Sequence, residues 1–374
     1  MKVGINLLPY GFGSHGGAEV YLRNIISALG KVANQHEIVL LKFKDTSNDS
    51  KLPAIEIPCC FTNNRIMRII AEQMFLPFTC RKHRIDCLVS NYVVPILNGI
   101  SNIVILHDML LHRYPEVFEP SKLLFWKLMI PASIRHSKAV VTVSKFSAQE
   151  IINFYPEAAG KIFTTVEGVR PSLLKNNSSE GLIDKYIGEK YLLCVATFGR
   201  HKNLHLLLKV FSMLPEEMAN LSLIFVGAAR TPEALQYQRE LKNFIDQVGL
   251  AKKIIFVGHV SDKRMAALYR NALACILPSL YEGFGLPVIE AQTLGCPVIC
   301  SDRASLPEVA GGAALLFDPF SPESLRDRII KVAKDSEMRQ KMILGGFRNA
   351  SKFSWEKAAF QLLEAIDFST GHNW

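Results

Sequence analysis

The chain alternates short apolar runs with longer segments in which apolar residues recur every three to four positions. In the first half, apolar runs occur in KVGINLLPY and HEIVLLKF and again at residues 85–91, 102–108, 138–144 and 161–167. Short β-branched runs of this kind are typical of buried strands, whereas periodic segments such as AEVYLRNIISALGKV are typical of amphipathic helices. The alternation predicts six strands of a parallel sheet built from βαβ units.

A second series of the same kind begins at residue 191. Its predicted strands are YLLCVAT, LSLIFVG, KIIFVGHV, ALACILPS, PVICSD and AALLFDP. The segment before it, 171–189, is polar and rich in Ser and Asn, as linkers are. We therefore predict two doubly wound, Rossmann-like α/β domains, 1–170 and 190–354. The segment 355–374 begins with helical periodicity and no strand follows it, so we predict a helix that packs elsewhere, with the first domain as the candidate surface.

The composition fits two folded domains. A chain of 374 residues with 49% apolar and 21% charged residues is long enough for two cores, and it resembles neither a disordered protein nor a coiled coil. No run approaches the roughly 18 apolar residues of a membrane span, and the N-terminal residues lack the pattern of a signal peptide. These features predict a cytoplasmic protein.

The net charge of +9 is uneven. Residues 1–170 carry 19 Lys and Arg against 13 Asp and Glu, which leaves +3 for the remainder. Such an excess suits an anionic partner, namely a phosphate-bearing substrate, an anionic membrane surface or nucleic acid, or else a merely soluble basic surface. Because no clustered basic stripe or known nucleic-acid-binding module accompanies the charge, no nucleic-acid partner is predicted.

The eight cysteines show neither a CxxC pair nor His partners at zinc-finger spacing. Several, among them Cys87 and Cys275, lie within apolar runs. Buried free thiols are therefore predicted rather than metal ligands or disulfides.

The most specific motif is SLYEGFGLPVIEAQTLGCPVICSD, residues 279–302. A strand is followed by the loop EGFG and by a helix with Pro287 in its first turn and Gly295 at its end. The free amides and dipole of the helix N-terminus predict an anion site for phosphate or a sugar oxygen. Glu282 and Glu290 flank that site, where sugar and ribose hydroxyls would supply the donors they need. Taken singly, Glu282 fits a surface charge and Glu290 a partner of the helix dipole.

Two further motifs follow predicted strands. Arg200 and Lys202 come after the first strand of the second domain, where cations can neutralise a diphosphate as its charge grows, or where they begin a solvated helix. His107 and Asp108 close a strand of the first domain, although a lone His in such a place is often structural. Ligands of open α/β sheets bind beyond the carboxyl ends of the strands, so the predicted site is a cleft between the two domains.

The segment GFGSHGGAEVY formally contains G-x-G-x-x-G from Gly11 to Gly16, which by itself indicates a dinucleotide oxidoreductase. That function needs an acidic residue about 20 positions on, at the end of the second strand. The first acid after HEIVLLKF is Asp45, which lies too far along the chain. Glu19 either caps the following helix or touches an acceptor.

The segment 279–302 resembles the donor-site signature of retaining glycosyltransferase family 4, which has the GT-B fold of two Rossmann-like domains facing across a cleft. The family's pattern of a Glu, seven residues and a second Glu falls on Glu282 and Glu290. The resemblance implies that Glu290 binds the ribose hydroxyls of the nucleotide and that Glu282 contacts the donor sugar near the reaction centre. The backbone amides that would hold sugar hydroxyls and phosphate are those of Phe284, Gly285 and Leu286.

The resemblance also implies roles for the other motifs. In the second domain Arg200 and Lys202 would stabilise the leaving diphosphate, with His201 as the alternative to Arg200. In the first domain His107, beside Asp108, would hydrogen-bond the donor sugar.

The same resemblance bears on two glycine-containing loops. Gly16 and Gly17 would let the backbone approach the donor diphosphate. Where the family has Asn-Gly-Val, this chain has Glu167-Gly168-Val169, and the role of that loop stays open.

The implied activity is sugar transfer with retention of anomeric configuration. The departing phosphate would take the acceptor proton on the same face, and no metal or other cofactor is expected, because nothing resembles the Asp-x-Asp site of other glycosyltransferases. The full length is most similar to bacterial mannosyl- and rhamnosyl-type enzymes of surface polysaccharide synthesis. GDP-mannose is therefore the first candidate donor and a UDP-sugar the second.

The implied acceptor is a lipid-linked or lipopolysaccharide oligosaccharide at the inner face of the membrane. Two basic, apolar stretches, 65–84 and 122–138, suit either peripheral contact with anionic lipid or ordinary amphipathic core helices. A GT-B epimerase would share the fold, but the string from Glu282 to Glu290 argues against it. A nucleotide-sensing binding protein is the alternative from another class.

Overall fold

The computed structural model describes most of the chain, in ranges separated by gaps. Residues 65–67 are described by their backbone only, and the described ranges are 1–9, 16–33, 35–44, 46, 50–57, 65–96, 99–175 and 190–371. The chain divides into two units. The first comprises Met1–Gly168 together with Ser354–Trp374, and the second comprises Val169–Phe353.

In its described residues the first unit contains a parallel sheet of seven strands in the order β3-β2-β1-β4-β5-β6-β7. The strands are β1 (Lys2–Asn6), β2 (Glu37–Lys42), β3 (Ala54–Glu56), β4 (Cys87–Asn91), β5 (Ser101–Ile105), β6 (Ala139–Thr142) and β7 (Ile162–Thr164). Six of them coincide with predicted apolar runs. The edge strand β3 was not predicted, because Ala54 and Glu56 are exposed, Ile55 is only partly buried, and the three residues form no apolar run.

Helices connect these strands. They are α1 (Gly17–Val32), α2 (Arg65–Ile70), α3 (Leu76–Lys82), α4 (Leu110–Arg113), α5 (Pro120–Arg135) and α6 (Lys145–Phe154). A π-helical turn, Ala71–Phe75, joins α2 to α3. α6 is capped by Ser144, whose hydroxyl accepts a hydrogen bond of 3.0 Å from the Ser147 amide.

The described part of the second unit contains a parallel sheet of six strands in the order β10-β9-β8-β11-β12-β13. They are β8 (Lys190–Val195), β9 (Leu221–Val226), β10 (Ile254–Gly258), β11 (Ala274–Leu277), β12 (Val298–Ser301) and β13 (Ala314–Phe317). All six match predicted strands, which confirms the doubly wound α/β class. The order reverses between β8 and β11, so the loops that follow these two strands leave the sheet side by side.

The helices of the second unit cover both faces of its sheet, as a doubly wound topology requires. They are α7 (Pro171–Leu174), α8 (Leu204–Ser212), α9 (Pro232–Gln247), α10 (Asp262–Asn271), α11 (Leu286–Thr293), α12 (Leu306–Ala310), α13 (Pro322–Lys334) and α14 (Ser336–Ala350). The segment predicted as a linker, 171–189, differs at its start. Its first residues form α7, which packs against α10 with Leu173 buried, and residues 176–189 lie outside the described part.

The last helix, α15 (Trp355–Thr370), belongs to the first unit. It packs on α1 and across β4 to β7. Its polar residues are paired with that unit: His36 Nε2 lies 3.2 Å from Asp367 Oδ1, and the Ser101 hydroxyl donates to the Ser369 carbonyl at 2.8 Å. The chain therefore returns to complete the first unit after building the second.

The contact of α15 with the loop Glu167-Gly168-Val169 explains the glycine of that loop. A Cβ placed on Gly168 would lie 2.6 Å from the backbone nitrogen of Trp355, closer than such atoms approach in proteins. Trp355 is itself buried, with its ring edge-on to Tyr21 at 5.9 Å. Gly168 thus provides the clearance that the start of α15 needs.

The six cysteines in the described part are free and buried, as predicted. Burial raises the pKa of the Cys194 and Cys300 thiols to about 12, so both stay protonated and unreactive at neutral pH. Cys59 and Cys60 lie outside the described residues.

Candidate functional site

The loops after β8 and β11 bring Lys202 and Glu282 together. Lys202 Nζ lies 2.8 Å from each carboxylate oxygen of Glu282, and both side chains are largely buried. The loops themselves are joined by a backbone hydrogen bond of 2.8 Å from the Leu280 amide to the His201 carbonyl. A cation and a carboxylate that are far apart in sequence therefore meet at the switch point of the sheet.

The turn that carries Lys202 is shaped by its neighbours. Residues Arg200–Lys202 form a 3-10 turn that ends at Asn203, whose φ of 54° is left-handed. The Asn203 side chain donates to the Pro319 carbonyl at 3.0 Å. Asn tolerates this backbone conformation better than most residues, so the turn is fixed where Lys202 projects toward Glu282.

The neighbours of Lys202 point elsewhere. The His201 ring is buried, and burial, together with the charge of Lys202, lowers the pKa of His201 to about 3, so the ring is neutral at physiological pH. Arg200 is exposed and donates to both Glu240 oxygens at 2.9 and 2.8 Å, with its guanidinium over the Tyr237 ring. Of the three candidate cations, Lys202 is the one placed beside Glu282.

Two serines that the sequence analysis did not single out hold the Glu282 loop. The Ser279 hydroxyl donates to Glu282 Oε1 at 2.8 Å. The Ser305 hydroxyl lies 2.9 Å from the Glu282 carbonyl and 2.8 Å from the Phe284 carbonyl and can donate to either. Ser279 is the last residue of the predicted strand ALACILPS and the first of the quoted motif, so its position was a usable signal, whereas Ser305 carried none.

The helix after this loop has the predicted form. α11 is preceded by Gly285, whose φ is 100°, and it has Pro287 in its first turn. A Cβ on Gly285 would lie 2.8 Å from Leu306 Cδ2, so the position needs glycine for its backbone and for its space. The chain turns left-handed at Gly295, just beyond the helix. The first amides of α11, beginning at Leu286, lack carbonyl partners within the helix and carry the positive end of its dipole.

Glu290 lies one turn into α11 and is almost fully buried. Its Oε1 accepts from Arg170 Nε at 2.8 Å, and its Oε2 accepts from Arg170 Nη2 at 3.3 Å and from the Tyr269 hydroxyl at 3.1 Å. Arg170 also donates to Asp262 Oδ1 at 2.6 Å. Arg170 was not predicted as a site residue, although a cation directly after Glu167-Gly168-Val169 was visible in the sequence.

In the first unit, His107 lies just beyond β5 and is buried. Its ring packs edge-on against Tyr21 at 5.0 Å and tilted against Tyr92 at 5.8 Å. Its Nε2 is buried and meets no hydrogen-bond partner among the described residues. Asp108 has a local contact, since its Oδ1 accepts from the Leu110 amide at 2.9 Å at the start of α4.

The glycine pair of the first unit begins α1, with Gly16 as its N-cap. A Cβ on Gly16 or Gly17 would meet no described atom within 4 Å, so neither glycine is needed for packing against the described residues. Glu19 contacts its own helix, accepting from Arg23 Nε at 3.0 Å. The preceding part of the motif, 11–15, lies outside the described residues.

The burial of His107 predicts a pH dependence of the first unit. Burial lowers the pKa of His107 from its ordinary 6.5 to about 4, so the folded chain disfavours the charged ring. The stabilisation by neutral His107 is complete above pH 6.5 and is lost as the pH falls toward 4, where the loss amounts to about 3 kcal/mol. We expect His107→Gln to flatten the fall in unfolding free energy over this interval by that amount.

Urea unfolding followed by tryptophan fluorescence measures this effect, because the described tryptophans, Trp126 and Trp355, belong to the first unit. His201, which is buried in the second unit, is present in both the wild type and the variant. Its own titration therefore contributes equally to the two curves and does not affect their difference. Parallel curves for the wild type and His107→Gln would contradict the expectation.

Two family descriptions match the chain. The family described as "Glycosyltransferase Family 4" matches residues 15–173, and the one described as "Glycosyl transferases group 1" matches residues 182–348. The O-antigen chain mannosyltransferase B of Escherichia coli is 30% identical over 264 residues, which are 69% of this chain and 68% of that protein.

Two further proteins are similar over much of the chain. The serotype-specific mannosyltransferase WbdA of Escherichia coli is 26% identical over 71% of this chain, which spans only 33% of that longer protein. The crystal structure of Alr3699/HepE from Anabaena in complex with UDP-glucose superposes with a TM-score of 0.75 at 21% identity, covering 98% of this chain and 99% of that one. The structural likeness supports the fold, and the sequence matches, taken with the Glu282 loop, establish that this chain belongs to glycosyltransferase family 4.

Proposed function

We propose that the chain transfers mannose from GDP-mannose to a lipid-linked or lipopolysaccharide oligosaccharide, with retention of anomeric configuration. The observation that carries this proposal is the buried Lys202–Glu282 pair beside the N-terminus of α11. The mannosyltransferases among the relatives support mannose as the sugar. The neighbour crystallised with UDP-glucose makes a UDP-sugar the second candidate donor.

In the proposed reaction, the second unit holds the donor. Glu290 accepts a ribose hydroxyl, Glu282 accepts a hydroxyl of the donor sugar, and the first amides of α11 receive the diphosphate. As the bond between the sugar and the diphosphate breaks, negative charge grows on the phosphate oxygens, and Lys202 and these amides stabilise it. Arg200 would join them only by leaving Glu240.

The acceptor hydroxyl approaches the face that the diphosphate leaves. Its proton passes to a departing phosphate oxygen, so no protein carboxylate serves as nucleophile, and the protein contributes positioning and charge. Because Lys202 and the helix amides supply the positive charge, we propose that the reaction needs no Mg²⁺ and no other cofactor. In the first unit, His107 offers its buried Nε2 to a hydroxyl of the sugar substrate.

Labelled transfer tests the proposal. The full chain is incubated with a panel of GDP- and UDP-sugars and a bacterial lipid extract, with and without EDTA, and the anomeric configuration of the product is read by NMR. We expect transfer from GDP-mannose, unaffected by EDTA and lost in Glu282→Ala. Transfer that survives Glu282→Ala removes the assigned role of the loop. Epimerised donor without transfer indicates an epimerase, and binding without turnover indicates a nucleotide sensor.

We also propose that the first unit contacts an anionic membrane at the cytoplasmic face, where a lipid-linked acceptor would be presented. Apolar side chains lie exposed at helical spacing on two segments, with Met74 and Phe78 at 68% and 67% exposure and Leu124 and Leu128 at 62% and 64%. Exposed basic residues accompany both pairs, and they are Arg81, Lys82, Lys127 and Arg135.

The two segments are neighbours in the first unit. Gln73, in the π-helical turn, donates to the Val94 carbonyl at 3.1 Å, and the Ser133 hydroxyl of α5 accepts from the Val94 amide at 3.2 Å. Among the helices of the described part, none is long and apolar enough to cross a bilayer. Exposed apolar side chains beside cations match the chemistry of an interfacial contact with anionic lipid.

The membrane contact predicts the behaviour of the double variant Phe78→Glu/Leu128→Glu. Each substitution removes an apolar side chain worth about 1.5–3 kcal/mol on burial and adds a charge that anionic lipid repels. We expect its partition onto vesicles containing phosphatidylglycerol to fall about 100-fold in a sedimentation assay. Phe320→Glu/Leu344→Glu, which changes two exposed apolar residues of the second unit, is the matched control. Equal binding of both double variants, or no binding by the wild type, would contradict the membrane contact.

A further inference from the structure

Arg170 forms ion pairs with two carboxylates beside α11, Glu290 and Asp262, and the proposed chemistry does not use it. It stands near the start of the second unit, directly before α7. Its guanidinium forks onto Glu290, with Nε 2.8 Å from Oε1 and Nη2 3.3 Å from Oε2, and its Nη1 lies 2.6 Å from Asp262. Asp262 is held in turn by the Ser172 hydroxyl. The guanidinium of Arg170 is thus held between two carboxylates.

The ion pair between Arg170 and Glu290 determines the net charge beside α11. The Glu290 side chain is 4% exposed, and a carboxylate buried to that extent needs a compensating cation. Burial acts to lower the pKa of Arg170, but the attraction of Glu290 and Asp262 outweighs burial and holds that pKa above its ordinary value. Arg170 therefore stays charged and neutralises Glu290, so that a diphosphate bound to α11 meets no uncompensated negative charge from this residue.

The pairing also limits how Glu290 can accept further hydrogen bonds. Three donors already point at its two oxygens, two from Arg170 and one from the Tyr269 hydroxyl. Burial, and the charge of Glu290, raise the pKa of Tyr269 well above its ordinary value, so the phenol remains a donor. An ionised carboxylate has about four acceptor positions. The fork leaves Glu290 in one orientation with one acceptor position for a ligand.

We propose that Arg170 is a positioning residue of the donor site. It fixes the Glu290 carboxylate so that its remaining acceptor position receives one ribose hydroxyl, which makes the chain select ribonucleotide over deoxyribonucleotide donors. The inference rests on the proposed function, in which Glu290 contacts ribose. It adds that the selectivity depends on the two-point hold by a planar guanidinium, which a lysine ammonium does not reproduce.

Calorimetric titration of the full chain with GDP and UDP, and with their 2′-deoxy and 3′-deoxy forms, tests the proposal. For the wild type we expect one deoxy form to bind about 10- to 100-fold more weakly than its parent, the effect of one hydrogen bond to a charged acceptor. Arg170→Lys keeps the positive charge and loses the fork. In this variant we expect the preference to fall to within about threefold of unity, because the Tyr269 hydroxyl alone then holds one oxygen of Glu290 and the carboxylate can turn about that contact.

The ratio of the affinity for a parent nucleotide to the affinity for its deoxy form distinguishes a positioning role of Arg170 from a role in stabilising the fold. A general loosening of the second unit would weaken parent and deoxy nucleotides alike and leave the ratio unchanged. Arg170→Lys/Asp262→Asn, which keeps a cation beside Glu290 and leaves it a single carboxylate to neutralise, is the second variant in case Arg170→Lys does not fold. Arg326→Lys is the control that should keep the wild-type ratio, because the Arg326 side chain pairs with Asp327 on the surface.

The outcomes distinguish the two proposals. A wild-type ratio retained in the folded Arg170 variants overturns the role of Arg170 and leaves the proposed function standing. A wild type that binds nucleoside diphosphates but does not distinguish the deoxy forms overturns the inference in the same way. A wild type that binds neither GDP nor UDP overturns the proposed function, and the role of Arg170 with it.

Discussion

Glu282→Gln is expected to lower kcat/KM for sugar transfer about 10³-fold, equivalent to about 4 kcal/mol of transition-state stabilisation. The substitution keeps the shape of the side chain and removes its charge. In the proposed reaction the variant loses a charge-assisted hydrogen bond between residue 282 and the donor sugar, and Lys202, bonded to both oxygens of Glu282 at 2.8 Å, loses the charged group that orients it. Hydrogen bonds to charged groups contribute about 1.5–3 kcal/mol each, so two of them account for the loss. Steady-state transfer from GDP-mannose to the proposed lipid-linked acceptor measures it.

The pair should behave as one unit in a double-mutant cycle. Lys202→Met is expected to lose about as much activity as Glu282→Gln, and the double variant little more than either, because each single change already breaks the arrangement. Lys334→Met, which removes an exposed lysine paired with Glu217, is the matched control and should stay within about twofold of the wild type. Losses that add in the double variant would show that Glu282 and Lys202 act independently.

The strands could be read from the sequence because buried parallel strands are continuous apolar runs. The strand β9, LSLIFV, has such a run, and the run is too short to indicate a helix. The edge strand AIE has one partly buried residue between two exposed ones and no such run, so it was missed. The helix α7 was hidden for a similar reason, since one buried residue, Leu173, in a polar segment gives no periodicity.

The parts of the candidate site whose residues are neighbours in the chain could be predicted from the sequence. The loop EGFG and the helix after it were predicted from Pro287 and Gly295, because turn and cap residues act locally. The pairing of Lys202 with Glu282 depends instead on β8 lying next to β11. That adjacency comes from the order of the strands in the sheet, which the apolar pattern alone does not give.

Arg170 shows most clearly which site residues the sequence alone does not predict. It lies 120 positions before Glu290 in the chain, in a loop whose departure from the family pattern was visible but had no assigned role. The contacts of a cation at this position become known only once α7, α10 and α11 are placed together in the second unit. Arg200 shows the converse, because its place after β8 indicated a diphosphate ligand, whereas its side chain in the structure lies on Glu240 and Tyr237.

Gly285→Ala is expected to damage both the stability of the second unit and the capture of the donor. A φ of 100° is unfavourable for any residue with a Cβ, and the added carbon would lie 2.8 Å from Leu306 Cδ2, so we expect a loss of about 2–4 kcal/mol in unfolding free energy. Relief of that strain must shift the first amides of α11, and a displacement of about 1 Å at a binding group costs about 100-fold in kcat/KM.

Chemical unfolding together with transfer kinetics of Gly285→Ala tests both parts of this expectation. Gly249→Ala separates strain from displacement, because Gly249 has a φ of 69° and a Cβ on it would meet none of the described residues within 4 Å apart from its chain neighbours. That control should lose stability to backbone strain and keep its kcat/KM. If Gly285→Ala unfolds more easily yet transfers sugar at the wild-type rate, the amides of α11 do not hold the donor. Wild-type kinetics would thus remove the helix N-terminus from the mechanism and leave Lys202 as the group that meets the diphosphate charge.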